Sequence, residues 1–155
     1  MSGACRLKGG LNFEGRAQRA LFVSAAAGDG LREHDHQTLF FLWLRRNEQR
    51  HPVLARFFAI PNGGKRDVRV AMKLRDEGVK PGVLDTHLPV PRGGFSGLWI
   101  EFKAGRNKLT DLQEEWRNFL EQQGHKVEVC YSWQEAALAT VRYLKLEGYT
   151  PITAR

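Results

Sequence analysis

The sequence predicts an α/β fold, a mixed β-sheet flanked by helices. Three observations carry this. The second half of the chain alternates strand and helix patterns: GLWIEFKA and KVEVCY are each followed by an amphipathic segment with a capping signal. A strand, helix, strand, helix order favours a parallel crossover. Just before it, the extended segment LDTHLPVP turns back at Arg92-Gly93-Gly94 into GLWIEFKA, an antiparallel hairpin or near-hairpin. Both pairing modes in one sheet make it mixed. A chain of 155 residues with 42% hydrophobic and 26% charged residues is long enough for one self-sufficient core.

Residues 1–30 are rich in small residues and glycine. A short helix is possible over 16–27, ended by AAAGDG, and the section reads as an arm or extension. EHDHQTLFFLWLRRNEQR, residues 33–50, reads as a helix. Leu39, Leu42, Trp43 and Arg46 follow a three-to-four spacing, and Phe40 and Leu44 widen the apolar face. Glu33 then lies in the first turn, and His51-Pro52 stops the helix. ARFFAI, residues 55–60, predicts a short buried strand, and PNGG, residues 61–64, a turn.

KRDVRVAMKLRDEG is helical from about Val68, with Ala71, Met72 and Leu74 on a modest apolar side and a positive opposite side. VKPGV breaks it. In GLWIEFKA, period-two geometry sends Leu98, Ile100 and Phe102 to one side and Glu101 and Lys103 to the other. Thr110 and Gln113 stand at capping-box spacing before a helix lined by Leu112, Trp116, Phe119 and Leu120, which Gly124 ends. After KVEVCY, Ser132 and Glu135 repeat that spacing, and a last helix runs to about Leu146. No internal repeat is present.

Composition narrows the function. The N-terminus lacks the pattern of a secretory signal, and no run approaches a membrane span. Cys5 and Cys130 form neither a disulfide framework nor a zinc cluster, which fits a reducing, cytoplasmic setting. The net charge is +7, and residues 45–80 alone hold ten Lys or Arg against four Asp or Glu. A local basic zone suits a polyanionic partner, though many basic proteins bind nothing specific.

The chemistry gathers on the hairpin. A carboxylate beside a buried face, as at Glu101, needs partners or a cation. If the strands pair, Asp85 and Glu101 face one cleft, with Lys103 further along the same face. Two close carboxylates repel, and a divalent ion relieves them. Mg²⁺ accepts one or two carboxylates together with phosphate oxygens and water, and lysine adds a compact positive charge. Aspartate, hairpin and Glu-x-Lys thus suit metal-dependent phosphodiester hydrolysis. A structural salt bridge of Glu101 with Lys103 suits the same residues. Glu33 is favourable at a helix N-terminus without any chemistry, and Gln113 is explained by capping. His87 shares the Asp85 face and Trp99 the Glu101 face, so either could line the cleft. His34 and His36 lie on opposite sides of their helix and make no zinc pair.

These motifs also carry a resemblance. EHDHQ, PNGG, the block EGVKPGVLDTHLPVPRGGFSGLWIEFKAG and LTDLQEEWRNFLEQQGHKVEVCYSWQEA, in this order and spacing, resemble the VRR-NUC (virus-type replication-repair nuclease) branch of the PD-(D/E)xK nuclease superfamily over residues 33–145. The resemblance implies a restriction-endonuclease-like core over residues 31–147, between an N-terminal extension (1–30, a dimerisation arm) and a C-terminal tail (148–155). PGVLD looks like the PD half of the motif, although Gly82, Val83 and Leu84 separate Pro81 from Asp85. Asp85 matches the metal-binding aspartate, Glu101 and Lys103 the ExK half, Glu33 the acidic residue of the first helix, Gln37 the glutamine that follows it, and Gln113 the glutamine after the core. Glu33, Asp85 and Glu101 would hold Mg²⁺ or Mn²⁺. Asn62, Lys65, Arg66, Arg69 and Lys73 would belong to the nucleic-acid surface. Small phage or prophage members of this branch act on branched DNA, such as four-way junctions, as homodimers, and this chain is of similar size. The rival expectations are a catalytically silent nucleic-acid-binding module of the same fold, or a purely structural protein.

Overall fold

The structure, a computed structural model, describes residues 30–61 and 68–146. The expected helix at 16–27, the arm, the tail, Cys5, Asn62, Lys65, Arg66 and the side chain of Ala71 lie outside the described residues. Helix α1 runs Glu33–Asn47, a 3-10 helix Pro52–Arg56, strand β1 Phe58–Ala59, helix α2 Val68–Asp76, strand β2 Thr86–Leu88, strand β3 Leu98–Phe102, helix α3 Asp111–Gln122, strand β4 Lys126–Cys130 and helix α4 Trp133–Leu144. The four strands form one sheet in the order β1-β2-β3-β4. β2 pairs antiparallel with both β1 and β3, and β3 pairs parallel with β4 across α3. The sheet is therefore mixed, as the order of patterns predicts. Among the described residues no helix is long and apolar enough to cross a membrane.

Alternation on β3 divides the core in two. Leu98, Ile100 and Phe102 are fully buried and pack with Leu39, Phe40 and Trp43 of α1 and with Trp133, Ala136 and Val141 of α4. Burying each large apolar side chain contributes roughly 1.5–3 kcal/mol, so this face holds β3 in place. On the opposite face, Leu84, Leu120 and Val127 form a smaller cluster joined by Trp99 and Trp116. Glu101 and Lys103 share that second face, the one α3 covers.

Several boundaries differ from the sequence reading. α1 ends at Asn47, three residues before Arg50, because the buried Asn47 amide donates to the Trp43 carbonyl at 2.9 Å and the Asn47 carbonyl accepts from Arg50 and His51. On α1, Arg46 faces solvent and Leu42 is only half-buried. ARFFAI is not a buried strand. Pro52 starts a 3-10 turn that absorbs Ala55 and Arg56, and the remaining pair Phe58–Ala59 is an exposed edge strand with one neighbour. Met72 is 61% exposed, so the apolar side of α2 faces solvent in part. On α3 only Leu120 is fully covered, and Leu112 and Phe119 keep about half their surface exposed (49% and 51%). α4 stops at Leu144, where Lys145 takes a left-handed conformation with φ 54°. Cys130 is free and buried, and burial pushes its thiol up to about 12, which makes it inert.

The segment leading to Asp85 is fixed on α3. The indole N–H of Trp116 donates to the Pro81 carbonyl at 3.2 Å. Gly82 has φ +78°, and a Cβ there would sit 2.5 Å from the Leu112 Cβ. Only glycine gives both the turn and the close approach. Gly82→Ala is expected to destabilise the protein by about 2 kcal/mol, through overpacking and left-handed strain. Urea unfolding followed by circular dichroism would check this.

Candidate active site

Three residues from two segments converge at one end of the sheet. Asp85 lies just before β2, Glu101 near the end of β3, and Lys103 just beyond it, where its N–H still donates to the Cys130 carbonyl at 2.9 Å. The antiparallel register pairs Thr86 with Ile100, and one step further along it Asp85 comes opposite Glu101. The Asp85 carboxylate (Oδ2) accepts from the Phe102 N–H at 2.9 Å, and the Asp85 N–H donates to Glu101 Oε2 at 3.2 Å. Glu101 is 1% and Lys103 4% exposed, so both charges are out of water, and Lys103 Nζ donates to Glu101 Oε1 at 2.7 Å.

α3 closes the site from the other side. Thr110 caps it in the full reciprocal box: its hydroxyl accepts from the Gln113 N–H, and the Thr110 N–H donates to Gln113 Oε1 at 2.9 Å. The other end of the same amide, Nε2, donates to Glu101 Oε1. Capping and site contact are thus one side chain's two ends. Glu33 is the first residue of α1, and its Oε1 accepts from Asn107 Nδ2 at 3.1 Å.

The electrostatics set these carboxyls apart from ordinary ones. Burial, and then the neighbouring charge of Asp85, push Glu101 up to about 7, although the Lys103 hydrogen bond and charge oppose the shift. Burial also raises Asp85, against its Phe102 hydrogen bond and the Lys103 charge, and Glu33 adds to the rise. Among the described residues no group of three or more His, Cys, Asp or Glu side chains could hold an ion alone. Two adjacent carboxylates, completed by substrate oxygens and water, are nonetheless a set that Mg²⁺ accepts. On its Oδ1, Asp85 carries no hydrogen bond among the described residues. The donor set fits a divalent cation, which would offset the burial of both carboxylates and the Asp85 charge that raises Glu101.

The VRR-NUC domain model matches residues 42–134, more than half of the 155-residue chain. The chain belongs to the VRR-NUC family. A solved structure described as a VRR_NUC domain protein is similar at 26% identity with a TM-score of 0.63, covering 81% of this chain and 98% of that one. No curated protein matches the chain. VRR-NUC membership carries a nuclease-type, hydrolytic function on nucleic acid in general, and the mixed sheet with flanking helices is consistent with the PD-(D/E)xK-like superfamily.

The VRR-NUC match spans Asp85, Glu101, Lys103 and Gln113 and begins after Glu33. The structure brings the first four into direct contact and sets Glu33 near Asp85 through charge. His87 and Trp99, which share strand faces with Asp85 and Glu101, have other partners. The His87 ring stacks on Trp99 at 4.1 Å, its Nδ1 meets the Leu98 carbonyl at 3.2 Å, and His125 packs edge-on. Arg69 and Lys73 are exposed on α2, and Lys73 faces Glu77 at 3.7 Å. Sequence reasoning missed Asn107 as the partner of Glu33. Its one signal was a polar run, GRNK, two residues after Lys103.

Proposed function

We propose that this VRR-NUC protein is a Mg²⁺- or Mn²⁺-dependent DNA endonuclease with structure selectivity for branched DNA such as four-way junctions. The observation that carries the metal-dependent reading is the pair of adjacent raised carboxyls, Asp85 and Glu101, with Lys103 hydrogen-bonded beside them. A purely structural ion pair would need one carboxylate and one cation. A second carboxylate pressed against that pair costs stability, and a bound cation accounts for it.

Asp85 and Glu101, with Glu33 on the approach, would hold the cation, which supplies charge neutralisation at the scissile phosphate. Lys103 favours the ionised form of Glu101 by its hydrogen bond and would place a positive charge beside the phosphoryl oxygens as negative charge grows there. Gln113 fixes Glu101 Oε1 and so orients the carboxylate. Burial of this set excludes water and strengthens each of these interactions. Junction selectivity and a homodimer are supported by the resemblance to small stand-alone members of the branch.

One panel tests the reading: linear duplex, flap, single strand and four-way junction, each with Mg²⁺, Mn²⁺ or chelator, for wild type and Asp85→Ala. Wild type is expected to cut the junction best with either metal, and the variant to cut nothing. Chelator-resistant cutting, or a variant as active as wild type, would sink the metal site. Junction binding with no cleavage under any metal would leave a silent binding module.

A further inference from the structure

The segment from Lys103 to Gln113 begins and ends on one atom. Lys103 Nζ and Gln113 Nε2 both donate to Glu101 Oε1. Between them the chain makes a turn at Gly105, φ +58°, closed by the Asn107 N–H on the Ala104 carbonyl at 3.1 Å. At its middle, Asn107 Nδ2 donates to Glu33 Oε1 on α1, 74 residues away in sequence. Every point that holds this loop is therefore a residue of the proposed site.

Arg106 and Lys108 flank Asn107. Both are exposed, and among the described residues neither takes part in an ion pair. Two cations therefore lie on a loop that is tied to the carboxylate site. Exposed cations of this kind suit the backbone phosphates on either side of a reacting one. Resting on the nuclease reading, we propose that the loop 104–109 is a substrate clamp. Arg106 and Lys108 bind backbone phosphates adjoining the scissile one, and Asn107 is a positioning residue that turns Glu33 toward Asp85.

The full chain tests this with two variants. For Arg106→Gln/Lys108→Gln, duplex and junction binding are measured in chelator from 50 to 200 mM salt. The slope of log affinity against log salt is expected to fall by about 0.9 for each lost phosphate contact. Affinity should drop on the order of tenfold at 100 mM salt and KM should rise. For Asn107→Ala the slope and KM are expected to hold, kcat to fall on the order of tenfold, and calorimetric Mn²⁺ binding without DNA to weaken several-fold. Asn107→Ser is the second variant should alanine lower the melting temperature. An unchanged salt slope overturns the phosphate role. Unchanged kcat together with unchanged Mn²⁺ binding overturns the positioning role. If wild type cuts no DNA with any metal, the nuclease reading fails, and the salt slope in chelator still decides the phosphate contacts.

Discussion

Asp85→Asn is expected to abolish DNA cleavage while raising the melting temperature of the metal-free protein. The first effect follows from losing one of two carboxylates that would hold the cation, at a cost on the order of 10³-fold or more in rate. The second follows from the charge that raises Glu101. Asparagine keeps an oxygen that can accept from the Phe102 N–H, now at 2.9 Å from Asp85, and removes the negative charge. Glu101 is held above its ordinary value of 4.5, at about 7. A carboxyl raised on folding binds its proton more tightly in the native state. The stability it contributes is present below 4.5 and lost as pH rises through about 7. At roughly 1.4 kcal/mol per pH unit the whole effect is about 3 kcal/mol. Burial is the larger cause and Asp85 the second, so removing Asp85 should restore part of this, at roughly 2–4 °C per kcal/mol for a chain of this size. Thermal melts in chelator at pH 5 and pH 8 check this: the gain should appear at pH 8 and vanish at pH 5. A variant that still cuts would remove Asp85 from the site, and one that melts lower at pH 8 would remove the repulsion.

Lys103→Met is expected to lower cleavage by about 10²–10³-fold and to move metal binding to higher pH. Methionine fills the buried slot with a chain of similar length. It removes the 2.7 Å hydrogen bond and the charge that hold Glu101 down. Glu101 then rises above about 7 and keeps its proton at neutral pH. The variant should match wild type in stability near pH 6, where Glu101 is already largely protonated. It should fall behind above pH 7, where an unpaired buried carboxylate has to ionise. Denaturant unfolding at pH 6 and 8.5, with Mn²⁺ titrations over the same range, reads both effects. Identical pH profiles for variant and wild type would show that Lys103 does not govern Glu101.

Much of this arrangement was legible in the chain because it is written locally. The face shared by Glu101 and Lys103 is a consequence of a two-residue repeat. The Thr110–Gln113 box is a three-residue spacing, and the structure contains it in both directions. The hairpin at Arg92-Gly93-Gly94 appears with β2 antiparallel to β3, and the helix between β3 and β4 makes their pairing parallel. Less legible were segments whose partners lie elsewhere. ARFFAI is apolar enough for a buried strand, yet its position at the sheet edge leaves Phe58 47% exposed. The apolar side of α3 reads as core, but the second face of the sheet is too small to cover Leu112 and Phe119.

The sequence by itself determined the sheet's mixed character, the apolar stripe that anchors β3, and the placing of Asp85, Glu101 and Lys103 on neighbouring elements. Periodicity, turn residues and caps act over a few residues, so a linear reading reaches them. Only the tertiary structure decided that Gln113 and Lys103 share one oxygen of Glu101, that Asn107 meets Glu33, and that His87 stacks on Trp99. It also decided that Glu101 sits at about 7. Each of these depends on burial and on distances between segments far apart in the chain, and a carboxyl's proton affinity is set by what surrounds it in space.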